Sequence, residues 1–356
     1  MRLLITGICG FVGSSLANWF REREPSCEII GIENFVRPGS ETNRAVLRSR
    51  GIRVQHGDVR NPSDFESLPA VDWVIDAAAN PSVLAGVDNR SSSRQVIEHN
   101  LYGTVNLLEY CKRIEAGLIL LSTSRVYSIP ALTALPLTKG NEAFEWDENA
   151  KPPVGASING LTTEFSTLPP ISLYGSTKLA SEALALEYHH SFSFPVWINR
   201  CGVIAGAGQF GTAEQGIFSY WIHAYAQKCP LTYIGFDGSG RQVRDALHPN
   251  DLAELVSLQF EHSTESEPRI FNLGGGAANA MSLAQLTDWC AERFGKHSIE
   301  SDPMPRAFDV PWLVMDNAQT TADFDWRPKR DLPSVLDEIA NHAERNPRWL
   351  DLSSPP

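Results

Sequence analysis

The sequence predicts an α/β protein, a doubly wound parallel sheet followed by a smaller C-terminal lobe. Three observations lead there. Short continuous apolar runs alternate with helix-patterned stretches through the first half of the chain. A glycine triplet, Gly7, Gly10 and Gly13, falls where the first run ends and the first helical pattern begins. At 356 residues the chain also exceeds one typical core, so a second lobe or domain is expected.

Taken in order, residues 2–6 are a strand-like run and 11–23 carry helical spacing. Residues 28–32, 52–56, 73–77 and 118–122 continue the strand series, with helical stretches between them, notably 92–113. Strands buried on both faces read as unbroken β-branched and leucine runs, and their alternation with helices implies right-handed crossovers. Residues 128–170 differ: they are rich in Pro, Thr, Glu and Asn and show neither period. A structureless run of that length inside a compact protein is more often functional than accidental. Beyond residue 200 the rhythm loosens, with Gly, Gln and aromatic residues accumulating to 240. There 282–294 reads as an amphipathic helix and 303–328 as an irregular arm. The expected division is a sheet domain over 1–200, rejoined by about 245–275, and a lobe built from 201–244 and 276–350.

Composition narrows the function classes. With 42 acidic against 30 basic side chains, net −12, the surface is not one that tracks nucleic-acid phosphates. No run of about eighteen apolar residues exists, so no membrane span is expected. The N-terminus runs straight into a glycine turn and lacks a signal-peptide layout. Six scattered cysteines without a C-x-x-C pair point away from a metal site or disulfide framework and towards a reducing cytoplasm. His189-His190 has no matching ligand set, the nine tryptophans lack basic interleaving, and Cys201 reads as a buried filler.

The glycine triplet supplies the first chemistry. The first glycine permits a tight turn, the second lets backbone approach a pyrophosphate, and the third lets helix and strand pack closely. Gly7, Gly10, Phe11, Val12 and Gly13 are thus cofactor candidates in a Rossmann-type fold. Glu33 lies twenty residues past Gly13, at the end of the second strand, where a carboxylate accepts from ribose hydroxyls. An acid there repels a 2′-phosphate, so NAD is expected, and Arg37 alone favours NADP. Asp58 and Val59 follow the third strand; Asp58 either meets the adenine or caps the next helix.

Tyr174 and Lys178 have i, i+4 spacing, which on a helix puts phenol and ammonium on one face. A hydroxyl being oxidised must lose a proton as hydride leaves. A tyrosine takes it only if its pKa falls well below about 10, and a nearby lysine and a positive nicotinamide both favour the phenolate. Thr123, in the Ser122-Thr123-Ser124 run after the fifth strand, would hydrogen-bond the reacting oxygen. Lys178 would also hold the nicotinamide ribose.

On these residues the chain resembles the extended short-chain dehydrogenase/reductase family, in its nucleotide-sugar epimerase branch. Further segments carry the likeness: Ala77-Ala78-Ala79, residues 100–109 beginning at Asn100, residues 122–127, residues 174–178, and residues 242–248 around Arg244. The resemblance implies tightly bound NAD, a Thr123/Tyr174/Lys178 catalytic set, and a nucleoside-diphosphate sugar held by the C-terminal lobe of a homo-oligomer. It also assigns Asn34, Ala77, Ala78, Ala79, Asn100 and Ser122 to the cofactor. Related 4,6-dehydratases carry Asp-Glu after the catalytic threonine; here Ser124 and Arg125 stand there, and the resemblance assigns both to substrate. Residues 33–40, 56–61, 79–83 and 209–216 are most similar to the branch that epimerises CDP-sugars at C2, and Gln209 joins the substrate set. Departures occur at Asn80, Val203 and Ala205, where sister epimerases carry Gln, Asn and Tyr. Arg244 and Arg306 read as diphosphate clamps or as structural ion pairs with nearby aspartates. A UDP-sugar 4-epimerase or decarboxylase, and a non-catalytic NAD-binding module, are the alternatives.

Overall fold

β1 (Arg2–Thr6) is buried from Leu3 onward and has parallel neighbours on both sides, as its unbroken apolar run requires. In this computed structural model, which describes residues 1–87, 92–262 and 269–353, β1 belongs to a seven-stranded sheet. The others in chain order are β2 (Glu28–Glu33), β3 (Arg53–His56), β4 (Trp73–Asp76), β5 (Gly117–Thr123), Val196–Cys201 and Ile270–Leu273. Across the sheet the order is Ile270–Leu273, Val196–Cys201, β5, β4, β1, β2, β3. The chain winds outward from β1 through β2 and β3, then restarts at β4 on the other side. The β1/β4 boundary is therefore the switch point at which such sheets hold ligands beyond their strand ends.

Two compact units result. The first comprises Met1–Val126, Ser172–Arg200 and Pro249–Phe271, and its core joins Leu4, Ile30, Val74, Leu107, Leu118 and Ile198. The second comprises Tyr127–Ile171, Cys201–His248 and Asn272–Pro356. The boundaries differ from those expected: residues 127–171 group with the second unit, not with the 1–200 domain. The returning segment begins at Pro249 rather than 245, and residues 263–268 within it lie outside the described ones.

The second unit packs helix Ile217–Ala226 against helices Leu283–Phe294 and Leu332–Arg345. Leu332–Arg345 is amphipathic by sequence: Leu332, Val335, Leu336, Ile339, Ala340 and Ala343 form one buried stripe. Asp331 caps it, accepting from the Ser334 N–H. Ser282 and Gln285 close a capping box at the start of Leu283–Phe294, where the amphipathic pattern predicted a helix. A second, four-stranded sheet contains Val203–Ile204, Val243–Leu247, Ala280–Ser282 and Trp312–Leu313.

Two irregular readings are corrected. Residues 128–170 contain helix Ile129–Thr133 and two small antiparallel pairs, Leu137–Lys139 with Phe144–Trp146 and Ala156–Ser157 with Gly160–Leu161. Strands of two or three residues are too short to show alternation. The arm 303–328 likewise holds strand Trp312–Leu313 and helix Ala318–Phe324. The 92–113 helix is real but interrupted: Ser93–Ile97 and Gly103–Ile114 flank a π-helical turn, Glu98–Tyr102.

Candidate active site

At the switch point Gly7 has φ +61, and a Cβ there would lie 3.0 Å from Ala78 Cα, so the turn presses on the end of β4. A Cβ on Gly13 would lie 2.3 Å from the Gly7 carbonyl oxygen and 2.8 Å from Ile8 Cα, so helix Phe11–Arg23 packs on the turn only with glycine there. That helix starts at Gly10 with no side-chain cap and no acid in its first turn, leaving N–H groups and positive dipole for an anion. Phe11 and Val12 open it. Ala77 and Ala78 are half-buried and Ala79 is exposed, and the Ala78 N–H donates to Thr6 Oγ1 at 3.0 Å.

Glu33 is the last residue of β2 and is buried. Its two oxygens accept from the N–H groups of Cys9 and Phe35, each at 3.0 Å, which ties it to the glycine turn. Burial raises its carboxyl above the ordinary range, against these backbone donors. Asn34 donates to Asp58 at 3.1 Å. Asp58 is opposed by partial burial but bound by the Arg60 guanidinium at 2.6 and 2.9 Å, and its carboxyl drops to about 2. The following helix is capped by Asn61, so the capping role considered for Asp58 is not realised. Val59 is buried, and its carbonyl accepts from Asn106 at 2.9 Å.

Helix Ser172–Phe192 carries Tyr174 and Lys178 one turn apart, and Ser172 Oγ accepts from the Gly175 N–H at 3.1 Å to open it. The helix packs on β5, whose last residue is Thr123, and on the turn Ser124–Val126. Lys178 is 2% exposed as a residue, and among the described residues it has no hydrogen-bond or ion-pair partner. Its Nζ is not among the fully buried side-chain atoms that lack a partner, so the ammonium keeps accessible surface at which a ligand can meet it. Thr123 Oγ1 accepts from the Arg125 N–H at 3.2 Å; Ser124 is buried and Arg125 half-buried.

Two expected cofactor residues point elsewhere. The Ser122 hydroxyl donates to Glu182, itself gripped by Arg200 through Nε at 3.1 Å to both oxygens and Nη2 at 2.7 Å. The Asn100 amide is committed to the Asn80 N–H at 2.8 Å, the Asn80 carbonyl at 3.0 Å and Thr177 Oγ1 at 3.2 Å. Both residues brace the site's framework.

In the second unit Arg244 is buried and its guanidinium binds Asp309 at 3.1 Å and the Val310 and Val243 carbonyls at 2.9 and 2.7 Å. The structural ion pair weighed for it therefore exists. Arg306 lies on the same loop as Asp309, whose N–H donates to the Arg306 carbonyl, and its Nη1 donates to the Ala213 carbonyl at 3.2 Å. Gln209, at the head of that facing segment, donates to the Ile204 carbonyl at 2.9 Å while its Oε1 is buried without a partner among the described residues.

The profile of the NAD dependent epimerase/dehydratase family matches residues 3–274. The chain belongs to this family. NAD is accordingly its cofactor, and the uncapped helix after the glycine turn, Glu33 and the partnerless Lys178 ammonium fit that molecule. Among curated relatives, the chain is 29% identical to the CDP-paratose 2-epimerase of Salmonella typhi, over 92% of this chain and 95% of that protein. It is 26% identical to UDP-glucuronate 4-epimerase 1 of Arabidopsis thaliana, over 94% and 74% respectively. Among solved structures, Pal from Bacillus thuringiensis has a TM-score of 0.78 at 22% identity, covering 97% of this chain and 99% of that one. A Bacillus cereus UDP-glucuronic acid 4-epimerase, solved with UDP-glucuronic acid and NAD, has a TM-score of 0.75 at 23% identity with the same coverage. These two likenesses establish the shared fold. Among the described residues no helix is long and apolar enough to cross a membrane, and no cluster of His, Cys, Asp or Glu could hold a metal.

Sequence reasoning missed Glu182 and Arg200, although Glu182 follows Lys178 by four residues and so shares its helix face. It also missed Asp245, a fully buried carboxyl pushed up to about 7 by burial despite the Gly276 and Met315 N–H groups. Its neighbour Arg244 drew the reading, and nothing local marks an aspartate as buried.

Proposed function

We propose that this enzyme epimerises a CDP-linked sugar at C2, by transient oxidation of a ring hydroxyl and re-reduction from the opposite face. The observation that carries the chemistry is the partnerless ammonium of the buried Lys178, one helical turn from Tyr174. The CDP-paratose 2-epimerase likeness, near full length on both chains, supports the substrate class.

NAD, when bound, takes up and gives back the hydride. The glycine turn and the first turn of helix Phe11–Arg23 hold its pyrophosphate, and Glu33 and Lys178 hold its riboses. Tyr174, kept as a phenolate by the Lys178 charge, removes the hydroxyl proton and later returns it. Thr123 donates to the oxygen on which charge develops. Arg244, oriented by Asp309, and Arg306 bind the diphosphate so that the sugar alone turns over between the two half-reactions. Ser124 and Arg125, lacking the acid–base pair of the dehydratases, contact the sugar without driving elimination of water.

The enzyme is further proposed to work in the cytoplasm, which its six free thiols favour, and as a homo-oligomer that covers Tyr102 and Phe192, exposed at 56% and 48%. Light scattering checks the oligomer. The decisive experiment incubates the enzyme with CDP-, UDP-, GDP- and dTDP-sugars in deuterated water. C2 inversion of a CDP-sugar without deuterium uptake is expected. C4 inversion of a UDP-sugar would replace the substrate assignment, and bound NAD with no turnover would leave a cofactor-binding module.

A further inference from the structure

The last described stretch of the chain, helix Trp349–Ser353, closes over the segment that begins at Gln209. Trp349 Nε1 donates to the Gln209 carbonyl at 2.9 Å, and Ser353 Oγ donates to the Gly211 carbonyl at 2.9 Å. Between these two bonds the Phe210 ring stacks on Trp349, centroids 5.1 Å apart at 14°. Ser219 Oγ adds a donor to the Gln209 carbonyl at 3.1 Å from the other side. Phe210 and Ser353 are both buried. His342 stands edge-on to Trp349 at 4.6 Å and so fixes the indole plane. The carbonyls tied here belong to Gln209, whose own Oε1 is without a partner, and to Gly211, two residues before Ala213, whose carbonyl accepts from Arg306.

We propose that Trp349–Ser353 is a latch that positions the 209–216 segment for the nucleotide sugar, making Trp349 and Ser353 positioning residues for substrate recognition. This rests on the functional reading above, in which Arg306 meets the diphosphate, and on the family resemblance that assigns Gln209 to substrate. None of the bonds or ring contacts described for the latch involves the glycine turn or the Tyr174 helix. Loosening it raises KM and leaves kcat and bound NAD as they were. Within the segment the Thr212 and Gln215 backbones bond each other at 2.8 and 3.0 Å, and the Gln209 side chain donates to the Ile204 carbonyl; the latch adds bonds from outside it at Gln209 and Gly211.

The test uses full-length Trp349→Phe, Trp349→Ala and Ser353→Ala, with hydrogen exchange followed over residues 209–216 and calorimetric titration of CDP and of UDP. Trp349→Phe keeps an aromatic stack but loses the N–H, so about a three- to tenfold loss of nucleotide affinity is expected, the worth of one neutral hydrogen bond. Trp349→Ala should lose more, with faster exchange across 209–216 and an unchanged NAD content. Unchanged exchange in Trp349→Ala overturns the latch. Faster exchange with unaltered nucleotide affinity overturns its role in recognition. Failure of the wild type to bind either nucleotide removes the functional reading, and the substrate role of the latch with it. If Trp349→Ala does not fold, Trp349→Phe and Ser353→Ala decide by the same two readouts.

Discussion

Removing the charge of Glu182 should strongly destabilise the first unit. The side chains of Glu182 and Arg200 are 2% and 6% exposed, and their closest approach is 2.7 Å. Three contacts from the guanidinium and one from the Ser122 hydroxyl end on the carboxylate. In Glu182→Gln one acceptor oxygen remains, an amide NH2 faces N–H donors, and the Arg200 charge stays buried. Breaking one side of such a pair costs about 3–5 kcal/mol. At about 2–4 °C per kcal/mol for a unit of this size, the melting temperature should fall by about 6–20 °C. Replacing both partners, Glu182→Met with Arg200→Met, removes the stranded charge and should recover most of the loss. Thermal and urea unfolding at saturating NAD measure both. A single variant within about 1 kcal/mol of wild type, or a double variant less stable than either single one, would refute the argument that desolvated charge sets the cost.

Three other outcomes follow from the site. Tyr174→Phe should lower turnover by about 10² to 10⁴ while NAD released on denaturation stays equimolar with protein; near-wild-type turnover would mean another group moves the proton. Gly13→Ala puts a methyl 2.3 Å from the Gly7 oxygen, so helix Phe11–Arg23 must withdraw and bound NAD should drop; full NAD content would show that the turn has slack. Asp245, raised by burial from 3.8 to about 7, binds a proton more tightly folded than unfolded. Its stabilising contribution is complete below pH 4 and is lost as pH rises through 7, by roughly 4 kcal/mol. Asp245→Asn should flatten that slope in urea unfolding between pH 4 and 8, and identical slopes would exclude Asp245 as the cause.

The nucleotide half of the fold was legible because its signals are local. The apolar runs within residues 2–6 and 118–122 are of strand length and alternate with helical patterns, and the glycine triplet gains meaning from its place between the first run and the first helix. Tyr174 and Lys178 were legible because helical spacing is a property of the sequence itself. The partners that organise them were not. Ser122, Glu182 and Arg200 are separated by 60 and 18 residues along the chain, and only the sheet order brings them together. The same holds for Arg244, whose carboxylate partner lies 65 residues away. The short pairs within 128–170 were missed because two-residue strands carry no period; their stability comes from the unit that surrounds them.

The π turn at Glu98–Tyr102 has a consequence for how this helix tolerates change. One extra residue per turn rotates everything before it by about 100° relative to everything after it. The turn thus works as a phase shifter, letting Ser93–Ile97 and Gly103–Ile114 each aim its own face without a break in the chain. The carbonyl of Asn100, inside the wider turn, is taken instead by the Thr104 and Ser181 hydroxyls at 2.7 and 3.4 Å. Substitutions on either side therefore act on one phase only, whereas deleting a single residue between 98 and 102 would bring both halves into one phase. It would also swing the Asn100 amide away from Asn80 and Thr177. In these five residues the count of residues thus carries as much of the geometry as the Asn100 amide does.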